Sequence, residues 1–404
     1  MIEAPAADLP YPVTDGDIAV NNLESARQRS WSRFWRDSSR PGIAEYIAEQ
    51  EQLMAQFVGD LTALDRLEAL VNHLLRGDAE SSRTALICAQ VASMTHRFAD
   101  ARNYLAKAKV RGISTDAANR LSLSIDQACG TGLDTIIEAR RQMAAKGGRL
   151  EDLVSLGALH ADLLEFDEAD QIYQRALREY QESSPFAVAW VCFQLGVLWH
   201  ERVPQTEPSR AAHWYRRAIE YLPCYVKARV HLAEIYLRDG RAEDAEAVLI
   251  RAVSSGDPEV SWRLAEAMVA MGRSADAEAH IQIARSGFEV LLENYLLAFA
   301  DHGAEFYSAT GDDPLRAFEL AVVNLANRPT LRAFELAYAT AVGAGLSDAA
   351  TEILETAKER WATLPFFYLS PLAERPTDLV NNDSESFDKS LETDFKDSLK
   401  RSMF

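Results

Sequence analysis

The chain has 404 residues, of which 48% are hydrophobic and 25% are charged, a composition typical of a soluble protein that buries a large core. Its net charge of -19 makes nucleic acid an unexpected partner, because binding to nucleic acid depends on neutralising phosphates with Lys and Arg. No run of about 18 apolar residues occurs in the sequence, so no membrane span is expected.

The N-terminal segment, residues 1–22, predicts a flexible arm, since Pro5, Pro10 and Pro12 stand among polar residues. This segment has neither a basic start nor an apolar stretch, so no intact signal peptide is expected, although a trimmed chain would look the same. The four cysteines are far apart and form no CxxC pair. Together these features predict a cytoplasmic protein with small, buried cysteines.

Residues 23–83 predict N-terminal capping helices. Within them, five arginines between residues 25 and 40 surround Trp31, Phe34 and Trp35. The three aromatic residues are spaced i, i+3, i+4, as in a helix that covers the open end of a repeat array with one apolar face. The alternative is a basic aromatic patch that binds an acidic segment or a phosphate surface.

Residues 84–362 predict a repeat array, and the pattern is clearest between Tyr225 and Gly287, where it occurs twice. The interval between matched positions is constant, as from Ala245 to Ala277, and a period of this size is typical of stacked helical hairpins. The first copy consists of Leu232, Ala233, Tyr236, Gly240, Ala245, Leu249 and Ala252, and the second of Leu264, Ala265, Met268, Gly272, Ala277, Ile281 and Ala284.

The spacing within each copy has a physical reason. Leu232 and Tyr236 share one face of a first helix, and Gly240 ends that helix because glycine enters the left-handed conformation easily. Ala245 then begins the packed face of a second helix, where a small side chain lets two helix axes approach to about 8 Å. One hairpin cannot bury its own apolar face, so each unit must stack on a neighbour.

Earlier and later units carry the same pattern, beginning at Leu156, Leu195 and Leu336. In the unit that begins at Leu195, the interval from Trp199 to Ala211 is longer by three positions than the matching interval from Tyr236 to Ala245. The inserted positions predict a longer loop over residues 201–210.

This pattern resembles the tetratricopeptide repeat (TPR), whose signature is Leu-Gly or Leu-Ala, an aromatic residue, then Ala, a large apolar residue and Ala. The resemblance implies an all-α fold, a right-handed superhelical solenoid of stacked antiparallel helix hairpins that binds partner proteins in a concave groove. In the subfamily that grips a C-terminal carboxylate, five clamp positions are basic or Asn, and of these only Lys227 fits here, so a carboxylate clamp is doubtful.

The resemblance places residues of the first helices in the groove. Phe193 and Trp262 are candidate anchors, since enclosed aromatic residues dominate interface energy, and the alternative is that they pack against the adjacent helix. The predicted partner-binding residues are Trp190, Phe193, Gln194, Val197, His200, Lys227, His231, Glu234, Arg238, Trp262, Arg263 and Glu266.

Known catalytic motifs are missing from the sequence. The stretch from Cys129 to Thr135 lacks the Lys of a phosphate loop and indicates a helix–helix turn. His200-Glu201 is a fragment of a zinc motif whose second histidine is missing. We therefore expect no catalytic residue, no cofactor and no metal, and a protein that is not an enzyme.

The C-terminal part changes character after an aromatic cluster near Phe366. Residues 363–382 predict a linker, and residues 383–404 predict an amphipathic helix. Its docking stripe consists of Phe387, Leu391, Phe395 and Leu399. This helix either docks on a partner or folds back on the last repeats of its own chain.

The sequence therefore predicts a scaffold or adaptor that binds another protein or a peptide in the groove of a repeat array. One alternative is self-assembly into a homo-oligomer through the C-terminal helix. A second alternative is a regulatory protein that senses a small ligand.

Overall fold

The computed structural model describes residues 9, 11–113, 115–147 and 149–373. Within those residues the regular structure is entirely helical, with eighteen α-helices and no strand. The described residues form two compact units, the first comprising residues 9, 11–91, 101–113, 115–123, 133–147 and 149–287, and the second residues 92–100, 124–132 and 288–373. The all-α prediction is confirmed.

The first unit begins with three helices in the region of the predicted N-terminal helices, and the first of them starts at Gly16, inside the predicted arm of residues 1–22. They are α1 (Gly16–Arg36), α2 (Ile43–Leu53), which continues into a wide π turn (Met54–Val58), and α3 (Thr62–Asp78). Phe57 in the π turn packs against Phe186 and Tyr225, with ring centroids 5.4 Å and 4.8 Å apart. This segment therefore lies against helices far along the chain, and its role in closing the end of the array stays a prediction.

Several side chains of the arginine-rich and aromatic segment, residues 25–40, make contacts within the first unit. Glu51 of α2 is fully buried and accepts hydrogen bonds from Trp31 Nε1 at 2.6 Å and from Arg66 Nε at 2.8 Å. Arg27 also reaches this carboxylate at 3.3 Å. Phe34 is buried, whereas Trp35 is 59% exposed, so only part of the aromatic stripe belongs to the core.

The repeat helices follow α3. They are α4 (Ser82–Met94), α5 (Phe98–Val110), α6 (Thr115–Ala128), α7 (Leu133–Gly147), α8 (Leu150–Asp162), α9 (Phe166–Glu179), α10 (Pro185–Val197), α11 (Pro208–Tyr221), α12 (Val226–Arg238), α13 (Ala242–Leu249), α14 (Pro258–Ala270) and α15 (Ser274–Ser308). In the first unit α8 packs on α9, α10 on α11, and α12 on α13. Each of these pairs is one antiparallel hairpin, as the sequence pattern predicts.

Close packing within the hairpins explains the small residues of the pattern. Ala245 is fully buried and Ala277 is 2% exposed, as expected for helix contact points. A methyl group on Gly157 would lie 2.7 Å from Cε1 of Tyr173, so a larger residue there would force the ring or the helix to shift. Gly240 ends α12 at a φ of 73°, the left-handed conformation that the sequence predicts.

The first helices of successive hairpins also contact one another. In the first unit α8 packs on α10, and α12 packs on α14. Phe193 of α10 packs against His231 of α12, with ring centroids 5.4 Å apart. Helices α8, α10, α12 and α14 therefore form a layer, and we call the exposed side of α10, α12 and α14 the first-helix surface.

The predicted long loop after α10 is shorter in the structure. Helix α10 continues as a π turn (Leu198–Arg202), which leaves residues 203–207 as the loop. The buried Asp170 of α9 fixes this region by accepting hydrogen bonds from Trp199 Nε1 at 2.8 Å and Arg210 Nη2 at 2.9 Å. The inserted residues are thus largely absorbed into an extra, wider helical turn.

The second unit contains the remaining helices. They are the part of α15 from Phe288, with a kink at Tyr295, then α16 (Pro314–Asn327), α17 (Leu331–Gly343), α18 (Ser347–Trp361) and a short 3-10 helix (Pro365–Leu369). Phe288 stacks on Phe306 at 4.9 Å, and Trp361 packs against Phe366 at 5.7 Å.

Gly130, in the turn after α6, has a φ of 61°, so the stretch from Cys129 to Thr135 contains the predicted helix–helix turn. The predicted docking residues Phe387, Leu391, Phe395 and Leu399 lie outside the described residues. The described part of the predicted linker, residues 363–373, contains the 3-10 helix (Pro365–Leu369), in which Phe366 and Phe367 are buried. The rest of the linker and the tail assignment stay predictions.

Candidate functional site

A cluster of ionisable side chains lies where three first helices of the first unit run close together. The π turn after α10 supplies His200 and Glu201, and α12 supplies His231 and Glu234, which share one helical face at i, i+3 spacing. Arg263 comes from α14. We call these five residues the polar cluster.

His231 lies at the centre of the polar cluster. Its Nδ1 is 3.0 Å from Oε2 of Glu234 and 3.0 Å from Oε1 of Glu201. Because an imidazole nitrogen that faces two carboxylate oxygens is best satisfied as a donor, this geometry favours the protonated ring. Tyr215 of α11 stacks on His231, with the two ring centroids 5.6 Å apart and the rings nearly parallel.

The pKa values of the two central groups move in opposite directions. Burial lowers the pKa of His231, but the Glu234 and Glu201 carboxylates outweigh burial and hold it well above its ordinary value. Burial raises the pKa of Glu234, but the charges of His231 and Arg263 outweigh burial and hold it below its ordinary value. His231 and Glu234 therefore form a charged pair at neutral pH.

Arg263 fixes the second oxygen of Glu234. Its Nη2 lies 2.5 Å from Oε1 of Glu234, and its Nη1 donates to Glu266 at 3.1 Å. The guanidinium stacks on the Trp262 ring at 3.7 Å from the centroid. Arg263 thus connects α12 to α14, and its planar group is held on three sides.

His200 is the most enclosed member of the polar cluster, being 3% exposed. Burial lowers its pKa from the ordinary value, so this ring is neutral at neutral pH. Its Nε2 lies 3.1 Å from Nη2 of Arg238, an exposed residue at the end of α12. Its Nδ1 faces the cluster at 4.0 Å from Oε2 of Glu234 and has no hydrogen-bond partner.

The polar cluster can in principle hold a cation. One ligand atom from each of His200, Glu201, His231 and Glu234 lies within 4.8 Å of the others. Two imidazole nitrogens with two carboxylate oxygens are a donor set that first-row transition metals accept.

The structure brings together many of the residues that the sequence analysis places in the groove. His200, His231, Glu234 and Arg263 belong to the polar cluster, and Arg238 and Glu266 contact its members. The remaining half-exposed residues of the prediction are Trp190, Gln194, Val197 and Lys227, on α10 and α12. Their contact with a partner stays a prediction.

The two candidate anchors are core residues. Phe193 is 8% exposed and Trp262 is 3% exposed. Phe193 packs between Tyr215, Tyr225 and His231. Because little of either ring is exposed, a partner could cover only a small part of it. The burial fits the alternative prediction, that these two residues pack against the adjacent helix.

Sequence reasoning omitted Glu201 and Tyr215 from the site. Two features of the sequence could have identified Glu201: it belongs to the His200-Glu201 fragment, and it lies where the repeat has inserted positions. Tyr215 occupies a regular repeat position, and only the packing of α11 on α10 shows that its ring reaches His231.

No family model and no curated protein matches this chain. Among the solved structures similar to this chain are three repeat proteins. A yeast Tom70 structure shares 11% identity, with a TM-score of 0.32, over 95% of this chain and 96% of that one. An anaphase-promoting complex hetero-tetramer, Cut9-Hcn1, shares 12% identity, with a TM-score of 0.41, over 99% of this chain and 79% of that one.

The third is the C-terminal part of a TPR repeat-containing protein from Cytophaga hutchinsonii. It shares 13% identity, with a TM-score of 0.30, over 72% of this chain and 97% of that one. Because the TM-scores are all low, the assignment of a TPR-like fold rests on the repeat pattern and the helix hairpins themselves. None of the helices among the described residues has the length and apolar character needed to cross a bilayer.

Proposed function

We propose that this chain is a non-enzymatic interaction scaffold that binds an extended segment of a partner protein along the first-helix surface. The observation that carries the proposal is the row of half-exposed side chains on α10, α12 and α14 above a fixed polar cluster. These side chains are Trp190, Gln194, Val197, Lys227 and Glu266, with the exposed Arg238 beside them and the half-exposed Arg263 of the polar cluster itself.

The rigidity of this surface supports the proposal. Glu234 and Arg263 are held by contacts that cross from α12 to α14, and Phe193 packs α10 against α12. A surface whose side chains are already fixed loses little conformational entropy when a partner binds, which favours affinity. Trp190 and Val197 add apolar area between the charged positions, as partner contacts require.

The charge of the surface indicates what kind of segment fits. Lys227, Arg238 and Arg263 line it together with Glu234 and Glu266, so both signs are present on a chain with a net charge of -19. Nucleic acid does not fit such a surface, since phosphates would meet these carboxylates as well as a strongly negative protein. A peptide of mixed charge with apolar side chains suits it best.

Photo-crosslinking tests the proposal directly. A photoreactive amino acid is placed at position 197 on the first-helix surface, and in a matched control at position 178, an exposed position on α9. Crosslinking of a co-purifying protein from 197 but not from 178 is the expected result. Equal crosslinking from both positions, or crosslinking from 178 alone, would contradict the proposal.

Charge reversal provides a second measurement on the same partner. Lys227→Glu with Arg238→Glu should weaken its binding, because both cations lie on the first-helix surface. The matched control, Arg178→Glu with Arg251→Glu, changes the net charge equally at exposed positions on α9 and on the 3-10 turn after α13. Equal loss in both double variants would indicate a net-charge effect rather than a binding site.

A further inference from the structure

We propose that His200, Glu201, His231 and Glu234 form a binding site for one Zn²⁺ ion or a similar transition-metal ion beneath the first-helix surface. This inference does not depend on the proposed peptide binding. It also departs from the sequence expectation of no metal, which rested on the missing second histidine of the His200-Glu201 fragment. The fold supplies that second histidine from α12.

The four donor groups are of the kinds that bind Zn²⁺. Two imidazoles and two carboxylates are four ligands of the kinds that Zn²⁺ takes, and four is its usual coordination number. Nδ1 of His231 carries a proton between the two carboxylates of the metal-free cluster, so binding of Zn²⁺ must release that proton. Ca²⁺ and Mg²⁺ prefer oxygen ligands alone, so two histidines in the set select against them.

The distances fit a site that closes on the ion. In a tetrahedral site with metal–ligand bonds of about 2.0–2.2 Å, neighbouring donor atoms lie about 3.3–3.6 Å apart. In this structure His231 Nδ1 lies 3.0 Å from a carboxylate oxygen of Glu201 and of Glu234, and the most distant pair of donors is within 4.8 Å. Inward movement of about an ångström by the outermost donors would complete the coordination.

A buried nitrogen of His200 without a hydrogen-bond partner supports the site independently of the donor set. A buried polar atom without a partner is costly and rare in folded proteins. Nδ1 of His200 is buried, points toward Glu234 at 4.0 Å and lacks any hydrogen bond. A metal ion among the four donors would satisfy this nitrogen, which no side chain of the cluster does.

The surroundings hold the ligands in place. Arg263 binds Oε1 of Glu234 and leaves Oε2 directed at the cluster, and Tyr215 stacks on His231 and fixes the plane of its ring. Such outer contacts orient metal ligands in known sites. The π turn that carries His200 and Glu201 also fits this role, since wide helical turns are frequent at functional sites.

The charge of Arg238 also opposes the ion. Arg238 lies against Nε2 of His200. When Nδ1 binds a metal, Nε2 carries the ring proton, so the guanidinium must move away. Arg238 is exposed and at the end of α12, which allows this movement. Removal of the Arg238 side chain should therefore leave metal binding at least as tight as in the unmodified chain.

The experiment is calorimetric titration of the full chain with ZnCl₂. One Zn²⁺ per chain is expected for the unmodified protein. His231→Gln and Glu201→Gln should each weaken binding by at least the roughly 10–100-fold that loss of an outer-shell partner costs. Arg238→Ala should bind as tightly as the unmodified chain or more tightly.

Matched controls separate this site from scattered surface binding. His213→Gln on α11 and Glu207→Gln in the loop before α11 remove the same groups outside the cluster and should leave binding unchanged. Helical content by circular dichroism shows that each variant is folded. Glu201 is an exposed residue, so its variant remains informative even if His231→Gln does not fold.

Co²⁺ gives a test that needs no variant. Its visible spectrum should be that of nitrogen and oxygen ligands, without the strong charge-transfer band that a thiolate produces, because the four proposed ligands include no cysteine. No uptake of Zn²⁺ by the unmodified chain would overturn the proposal. Uptake that is unchanged in both ligand variants, or a thiolate band with Co²⁺, would overturn it equally.

Discussion

The ring of Tyr215 in α11 packs directly on the backbone of Gly196 in α10. A methyl group on Gly196 would lie 2.4 Å from Cε1 of that ring. The same Tyr215 ring stacks with that of His231, so one aromatic ring joins the repeat packing to the polar cluster. The glycine of the Leu-Gly pair is therefore a requirement of packing, and through Tyr215 it also positions the candidate site.

Gly196→Ala should lower the free energy of unfolding by about 1–3 kcal/mol, because an added methyl group in a packed contact forces side chains or helices to shift. Thermal or urea unfolding of the full chain measures the change. Gly77→Ala is the control, since Gly77 lies in α3 with no atom near an added methyl group. Alanine favours helix there, so this control should be neutral or slightly stabilising, and equal destabilisation by both changes would refute the packing argument.

Ala245→Leu should destabilise the chain by about 1–3 kcal/mol, because Ala245 is fully buried where α13 packs on its neighbours. Ala247→Leu provides the matched control in the same helix, at an exposed position. Leucine and alanine have similar helix propensities, so the control should stay within about 0.5 kcal/mol. Urea unfolding of both variants decides whether Ala245 is the tight contact that the repeat pattern predicts.

Asp170→Ala should destabilise the region around residues 203–210. Its carboxylate binds Trp199 Nε1 and Arg210, and Arg210 also stacks on Trp199 at 3.6 Å from the ring centroid. Removing the acceptor from this buried site should cost about 1–3 kcal/mol. Hydrogen exchange should show faster exchange at residues 203–210, whereas Asp167→Ala, an exposed change on the same helix, should leave that loop unaffected.

The second unit should lose stability as the pH falls below about 6.5. Burial, with the charge of Arg328, lowers the pKa of His96 to about 4, although Asp301 opposes this shift. The unfolded chain has the ordinary pKa and binds the proton first, so unfolding is favoured progressively from pH 6.5 down to pH 4. The loss attributable to His96 should be on the order of 3 kcal/mol.

His96→Asn tests this prediction. Asn accepts the left-handed backbone that His96 adopts, with a φ of 53°, and it does not titrate. The variant loses the stacking of His96 on Phe98, so it should be less stable at pH 7. The difference in unfolding free energy between the two chains should shrink between pH 6.5 and pH 4, and a constant difference would show that His96 does not carry the pH dependence.

The hairpin architecture could be predicted from the sequence because its determinants are local. Leu232, Tyr236 and Ala245 recur at helical spacing, and Gly240 fits a left-handed helix end that other residues adopt with difficulty. These preferences act over short stretches of the chain and are repeated, so one unit supports the interpretation of the next.

The candidate site was only partly accessible from the sequence. His200, His231, Glu234 and Arg263 are identified one by one as positions on first helices, and nothing in their spacing shows that they meet. The stretch around Trp199 also indicates a long loop, whereas the chain forms a π turn there that directs Glu201 toward α12. Phe193 and Trp262 have the residue types of partner anchors, but their burial follows from the neighbouring helices.

The sequence by itself determined the helical class, the repeat and the positions of its glycines and alanines, because these depend on backbone preference and on side-chain size at regular spacing. Only the tertiary structure decided which charged residues share a site. That outcome depends on how α10, α12 and α14 pack, since His231 and Glu201 belong to different hairpins and meet only in the folded chain. The local sequence determines that each helix forms, but it does not determine which side chains of another helix will lie beside it.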